Sequence, residues 1–367
     1  MIVGLVVFGI YLYFFVGINE LVYSLQRLNT LGYLFFFSLA IVSMLLALFF
    51  WTTAWRTILR TLSVELNLKK AFMIFLVGYF LDLVIPSETI GSELTRLYLV
   101  HNETNGDMGA IAASAITNRV VEYAIVTVGL FGSVFVLLSV GNIPSIVTDF
   151  LFLVLIGVVV YVAILMVLVM NERAARIIVS IGIRLLRLLR VKRYSSPDAV
   201  EKTQASLAIF YRGFQTFREN PRQLVKPLIF QLLSLLFNLG VYVLVFLALG
   251  MDSPTFGFFI LTFFIASAIQ GATASLSVGS LDIVLVTVFT LYGIPAAESG
   301  IAVIMLRSAT YWFPLLLSYI MVQLYGVHNI LSSRSKETVN PTLNAGEDRL
   351  PNFSPGSNST KGKNLSG

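Results

Sequence analysis

Two arginines stand inside apolar runs where a charge is costly. Arg119 lies within the run 109–138 and Arg307 within the run 299–326. In a hydrocarbon setting each costs at least ~2.5–3.5 kcal/mol on insertion scales, so each is either paired or engaged by a ligand. Glu122 sits three residues after Arg119, and an internal ion pair accounts for both without a ligand. Arg307 has no acid within a helical turn, so its partner comes from elsewhere in the chain. Asp282 and Glu93 are the candidates.

Two polar breaks fall near these arginines in sequence. The stretch 71–100 is interrupted by Pro86-Ser87-Glu88-Thr89, and the stretch 257–292 by Ser275-Leu276-Ser277-Val278-Gly279-Ser280. A short helix is expected to begin after each break, near Ser87 and near Ser280. Its free N–H groups and positive dipole end would point inward. Two helix N-termini and two guanidiniums together make an anion site. The candidate contacts to an anionic head group are Arg119, Arg307, Ser87, Gly91, Ser92, Gly279, Ser280 and Tyr311. Glu88, Glu93, Glu122 and Asp282 are candidate coupling or pairing acids. They either carry protons or Na⁺ or serve as ion-pair and capping groups, and capping is the favoured role for Asp282. Asn118 and Gln270 are further polar positions, more in keeping with interhelical hydrogen bonds than with ligand contacts.

Other chemistries find no support. The chain has no cysteine, and its two histidines, His101 and His328, are far apart in sequence. No metal site, cofactor or catalytic residue is expected. There is no phosphate-binding glycine loop, dinucleotide fingerprint or nucleophile elbow. The 25 Lys and Arg against 19 Asp and Glu do not signal nucleic-acid binding, because most of the basic residues sit in a few polar loops.

The elements that hold these residues follow from composition. Of 367 residues, 57% are hydrophobic and only 12% charged, and the mean hydropathy is +0.86. Soluble domains carry about a quarter charged residues, so this chain needs lipid as its solvent. Apolar runs at 1–18, 33–55, 109–138, 150–170, 228–250 and 299–326 are near the ~20 residues that cross a bilayer. The first, Ile2 to Ile18, reads as a retained anchor rather than a cleaved signal. The two broken stretches read as re-entrant hairpins, since irregular backbone at membrane depth must be buried or line a cavity.

Charge supports this count. Four Lys/Arg lie in 56–70, twelve in 171–227 and five after residue 326, together 21 of the 25. They fall on one side, the cytoplasm, only if each broken stretch enters and leaves on the same side. The expected fold is an all-α polytopic plasma-membrane protein with about six transmembrane helices, two re-entrant hairpins and both termini cytoplasmic. The segment 171–227 carries Arg184, Arg187 and Arg190 among leucines and reads as a basic interfacial segment. Residues 327–367 read as a disordered cytoplasmic tail, and the sequons at Asn352, Asn358 and Asn364 as chance matches.

An internal repeat links the two halves. At an offset of 188 residues Gly91 pairs with Gly279, Ser92 with Ser280, Arg119 with Arg307 and Tyr123 with Tyr311. The units are 71–138 and 259–326 within a domain spanning 1–326. An even number of crossings between them makes the units inverted, a pattern of secondary transporters.

These residues also carry a resemblance. Pro86-Ser87-x-x-Ile90-Gly91-Ser92-Glu93-x-x-Arg96, Asn118-Arg119-Val120-Val121-Glu122, Val278-Gly279-x-x-Asp282 and Arg307-x-x-Thr310-x-Trp312-x-Pro314 are similar to the motifs of the flippase-like family. That family includes the membrane region of lysylphosphatidylglycerol synthases. Asn118 stands where the family has Glu, Glu122 where it has Asp, Ser275-Leu276-Ser277 where it has Pro-Gly-Gly, and Asp282 where it has Glu. The resemblance implies movement of an anionic phospholipid or a polyprenyl-phosphate-linked precursor between leaflets. Aminoacyl transfer is not implied, since the roughly 40 polar residues at the end of the chain are too few for the synthase domain. The alternative is a non-catalytic partner subunit of a lipid-modifying synthase or glycosyltransferase, with the basic segment as its docking face. Membrane lipids are the expected partners, with a homo-oligomer or a synthase as the protein partners left open.

Overall fold

The computed structural model describes residues 30–84, 90–140, 145–170, 197–251, 256–272 and 277–339, and all of its regular structure there is helical. The apolar run 1–18, Ser87 and Glu88 at the first break, Ser275 and Leu276 at the second, Arg184, Arg187 and Arg190, and the tail from 340 lie outside these residues.

Helix α1 (Thr30–Thr61) is followed by α2 (Leu68–Val84), α3 (Ile90–Thr104), α4 (Met108–Val140) and α5 (Ser145–Met170). Then come α6 (Pro197–Glu219), α7 (Val225–Ala248), α8 (Phe256–Ala272), α9 (Ser277–Leu291) and α10 (Ala296–Arg307). A π turn, Ser308–Trp312, joins α10 to α11 (Phe313–Val339). The chain divides into a body up to Val322 and a segment from Gln323 onward, in which α11 runs on to Val339.

Four stretches are long and apolar enough to cross a membrane by length and composition: Thr30–Thr61, Met108–Ser133, Pro221–Ala248 and Ala296–Gly326. They coincide with four of the runs expected from sequence, and the run 150–170 falls in α5. The protein is an integral membrane protein.

The two broken stretches form antiparallel helix pairs. Lys70 near the start of α2 is ion-paired with Glu103 near the end of α3, which closes the base of the first pair. In the second pair the base is aromatic: Phe258 of α8 lies 5.4 Å from Phe289 of α9 and 4.8 Å from Tyr292, measured between ring centres. With 17 and 15 residues in each pair, the helices are about 26 and 23 Å long. That is short of the ~30 Å of hydrocarbon.

The helix boundaries repeat as well. Adding 188 to the bounds of α2 gives 256–272, the bounds of α8, and adding it to the first residue of α4 gives the first residue of α10. Helices α3 and α9 are offset by 187.

Small residues and hydroxyls bring the long helices together. Helix α1 lies antiparallel along α7, with Ala40, Ser43 and Ala47 buried. Ser43 Oγ donates to the Phe237 carbonyl at 2.7 Å, and Ser234 Oγ donates to the Ala47 carbonyl at 2.8 Å. Such bonds substitute for the hydrophobic drive that lipid does not supply. Gln231 Nε2 donates to Asn118 Oδ1 at 3.0 Å, so Asn118 is an interhelical tie between α4 and α7.

Helices α4 and α8 pack through a glycine. A Cβ built on Gly129 would lie 2.0 Å from Cζ of Phe264. Phe264 is itself fixed in a cluster with Leu130 and Leu155. Gly129→Ala is therefore expected to destabilise the protein by ~1–3 kcal/mol through overpacking, read as a lower midpoint of thermal unfolding in detergent. Gly132, with open space around its Cα, is the control: Gly132→Ala should leave the midpoint unchanged or raised.

Candidate functional site: two arginine clusters linked by Tyr311

Helix α3 presents Ser92, Glu93 and Arg96 in its first two turns, against the last turn of α2 and the middle of α4. The guanidinium of Arg119 on α4 donates twice to Glu93 Oε1, from Nη2 at 2.7 Å and from Nε at 3.0 Å. Its Nη1 donates to Glu122 Oε2 at 3.2 Å. Arg96 approaches the same Glu93 oxygen from the other side, Nη1 donating at 3.0 Å. Its Nη2 donates to Asp82 Oδ2 at 2.8 Å, and the hydroxyl of Ser92 donates to the second oxygen of Asp82. One carboxylate oxygen thus bridges two guanidiniums, and three acids surround them.

Aromatic faces support this cluster. The guanidinium carbon of Arg96 lies 5.1 Å from the ring centre of Phe75 and 5.5 Å from that of Trp51. That of Arg119 lies 5.7 Å from the Trp51 ring. Both arginines meet the electron-rich face of one indole. Arg96 also passes over Gly78, where an added Cβ would lie 2.3 Å from its Nε. A charge that is 1% exposed and held by two acids has no room to shift. Gly78→Ala is expected to cost ~1–3 kcal/mol. In the same unfolding measurement Gly78→Ala combined with Arg96→Leu should lose less than the sum of the single changes, because the two act on one contact.

The second cluster is more enclosed. Arg307 Nε lies 2.7 Å from Asp282 Oδ1, with side chains 7% and 4% exposed. The N–H does not point along this line, since Oδ1 lacks a well-formed hydrogen bond. At this distance and burial the contact is an ion pair. The other oxygen, Oδ2, accepts the N–H of Gly279 at 2.9 Å. Gly279, the third residue of α9, has φ +93°, a value that suits glycine and breaks the regular helical geometry there. Asp282, three residues on, reaches back to the glycine N–H like the acidic arm of a capping box. It serves as cap and as ion-pair partner together.

The π turn follows Arg307 directly. Pro314 can give no N–H to the preceding turn, which disturbs the helical ladder. The hydroxyls of Ser308 and Thr310 donate to the carbonyls of Ile304 and Leu306, each at 2.8 Å. The turn sets Tyr311 with its ring 4.9 Å from the Arg307 guanidinium carbon. The Tyr311 hydroxyl donates to the Leu83 carbonyl at 3.0 Å. Leu83 is next to Asp82 in the last turn of α2, so Tyr311 joins the second cluster to the first.

The structure brings together Glu93, Glu122 and Arg119, and separately Asp282, Gly279 and Arg307, with Tyr311 between them. Ser92 is buried and bonded to Asp82, Gly91 is in the first turn of α3, and Ser280 is exposed on α9. Of the two acids considered for Arg307, Asp282 pairs with it and Glu93 pairs with Arg119 and Arg96. Asp82, Trp51 and Gly78 were missed by motif reading. Asp82 carried a usable signal, as the one acid in the apolar helix Leu68–Val84. Trp51 and Gly78 carried none, since either residue is ordinary in an apolar helix. No group of three or more His, Cys, Asp or Glu able to hold a metal occurs among the described residues.

The chain is 23% identical over 317 residues to a UPF0104 membrane protein of Methanocaldococcus jannaschii, covering 83% of this chain and 88% of that one. No solved structure matches it. The family model for the lysylphosphatidylglycerol synthase TM region matches residues 1–318, which include both arginine clusters and all of their partners. The chain belongs to that family.

Proposed function

We propose that the protein moves an anionic phospholipid, or a lipid-linked phosphate, between the leaflets of the plasma membrane. In this reading it has six spans and two re-entrant hairpins (α2–α3 and α8–α9), an inverted repeat and cytoplasmic termini. It is a non-catalytic membrane domain, and the lipid is cargo rather than reactant.

One observation carries the reading. Arg119 is shared between Glu93 and Glu122, yet its side chain keeps 18% exposure and theirs keep 21% and 29%. A guanidinium with several donors and an accessible edge can exchange one carboxylate for a phosphate oxygen, which makes the same fork geometry. The rest of the cluster holds the arginine in place while the exchange occurs. The family match and the repeated helix boundaries support the same reading.

The test uses the full chain in phosphatidylcholine vesicles containing phosphatidylglycerol labelled on one acyl chain. Loss of protected fluorescence on adding a membrane-impermeant quencher reports arrival in the outer leaflet. Faster arrival than in protein-free vesicles, abolished by the Arg119→Gln/Arg307→Gln double variant, is the expected result. Equal rates with and without the protein would overturn it.

A further inference from the structure

The two repeat units are alike in helix boundaries but not in their contacts, and both the matched arginines and the matched tyrosines differ. Arg307 and Asp282 are sealed at 7% and 4% exposure, whereas Arg119 and Glu93 are open at 18% and 21%. Tyr311 is buried and donates to the carbonyl of Leu83, the penultimate residue of α2. Its repeat partner Tyr123 is half-buried and instead meets Tyr161 of α5 edge-on, with ring centres 4.8 Å apart. The repeat partner of Leu83 is Gly271, and it too is the penultimate residue of its helix, α8. The last carbonyls of a helix have no partner within it and accept outside donors.

From this asymmetry we propose that Tyr311 and Tyr123 are alternative latches. Tyr311 on the Leu83 carbonyl holds the second hairpin's arginine pair shut while the first lies open. In the opposite state Tyr123 donates to the Gly271 carbonyl, Tyr311 lets go of Leu83, and the exposures of the two arginine pairs exchange. Two conformations that swap the roles of inverted units are what alternating access requires. The proposal rests on the transport reading above, for which it supplies the gate. The π turn at Ser308–Trp312 is the element able to reorient Tyr311. Helix α4 has no such turn around Tyr123, so that tyrosine is carried by the movement of α4 as a whole.

The absence of cysteine makes the test direct. Two double variants that keep both tyrosines, Leu83→Cys/Trp312→Cys and Gly271→Cys/Ala124→Cys, are treated in vesicles with a short bifunctional thiol reagent. Mass spectrometry then scores the internal cross-link. Both pairs are expected to cross-link, and in a four-cysteine chain linking one pair should protect the other. Tyr311→Phe, which keeps the ring and loses the hydroxyl, should raise linking of a Gly271→Cys/Ala124→Cys reporter about five-fold, the worth of one neutral hydrogen bond. Tyr123→Phe should lower it. Linking at Leu83/Trp312 alone, under every lipid condition, overturns the latch exchange. If both pairs link but labelled phosphatidylglycerol does not move, the transport reading fails while the exchange stands.

Discussion

Asp282→Ala is expected to lower the stability of the folded protein by about 3–5 kcal/mol, the typical cost of breaking a buried ion pair by removing one partner. Its cause is the Arg307 guanidinium, which is 7% exposed in the parent and loses the acid it is paired with. The Gly279 N–H loses its acceptor in the same step, and the start of α9 loses its cap. Thermal unfolding in detergent, followed by tryptophan fluorescence, measures the effect. Asp282→Asn separates its two causes, because the amide oxygen can still accept from Gly279 while the charge is lost. Asp282→Leu/Arg307→Met should recover much of the stability, as apolar replacement of a whole buried pair often does. A single Asp282→Ala variant that unfolds like the parent would show that the 2.7 Å contact does not hold the hairpin.

Arg119→Gln is expected to slow phosphatidylglycerol movement about ten- to hundred-fold, the worth of one or two charge-assisted hydrogen bonds to the cargo. Its effect on folding should be smaller than that of Asp282→Ala. Glu93 keeps Arg96, and Glu122, at 29% exposure, can be hydrated when its partner is gone. Arg119→Lys retains the charge but cannot serve two carboxylates and a phosphate from one planar fork, so it should fall between the parent and Arg119→Gln. Glu122→Gln acts in the opposite sense on binding. It removes a competitor for Arg119 and should tighten retention of anionic lipid, seen as more lipid carried through purification by native mass spectrometry. A fall in transport for Arg119→Gln that merely matches a loss of folded protein would assign the residue a structural role. Equal transport by parent and variant would remove it from the cargo site.

Much of this arrangement is legible in the sequence. Hydrophobic runs and charge asymmetry give a membrane protein, because twenty apolar residues with no charge have one stable environment. The repeat was visible because breaker glycines and intramembrane arginines are rare enough for four matches at one offset to stand out. The i+3 pairing of Arg119 with Glu122 follows from helical geometry alone. The same logic left the partner of Arg307 open, since no acid lies within a turn of it.

Tertiary packing decided the rest. That Glu93 goes to Arg119 and Arg96 rather than to Arg307 depends on how α3 lies against α4, and spacing along one helix cannot report it. Trp51 becomes the face beneath two guanidiniums because α1 happens to pass there, and Gly78 matters only because Arg96 crosses it. The repeat partners Tyr123 and Tyr311 are the same residue type in the same register, yet one meets a tyrosine and the other a helix end. Sequence determined which charges this membrane protein must accommodate and on which helices they sit, because helical period and the cost of burying charge act locally. Which charges neutralise each other, and which arginine pair is the more buried, was decided by three-dimensional contact, because ion pairing and packing depend on distance through space rather than along the chain.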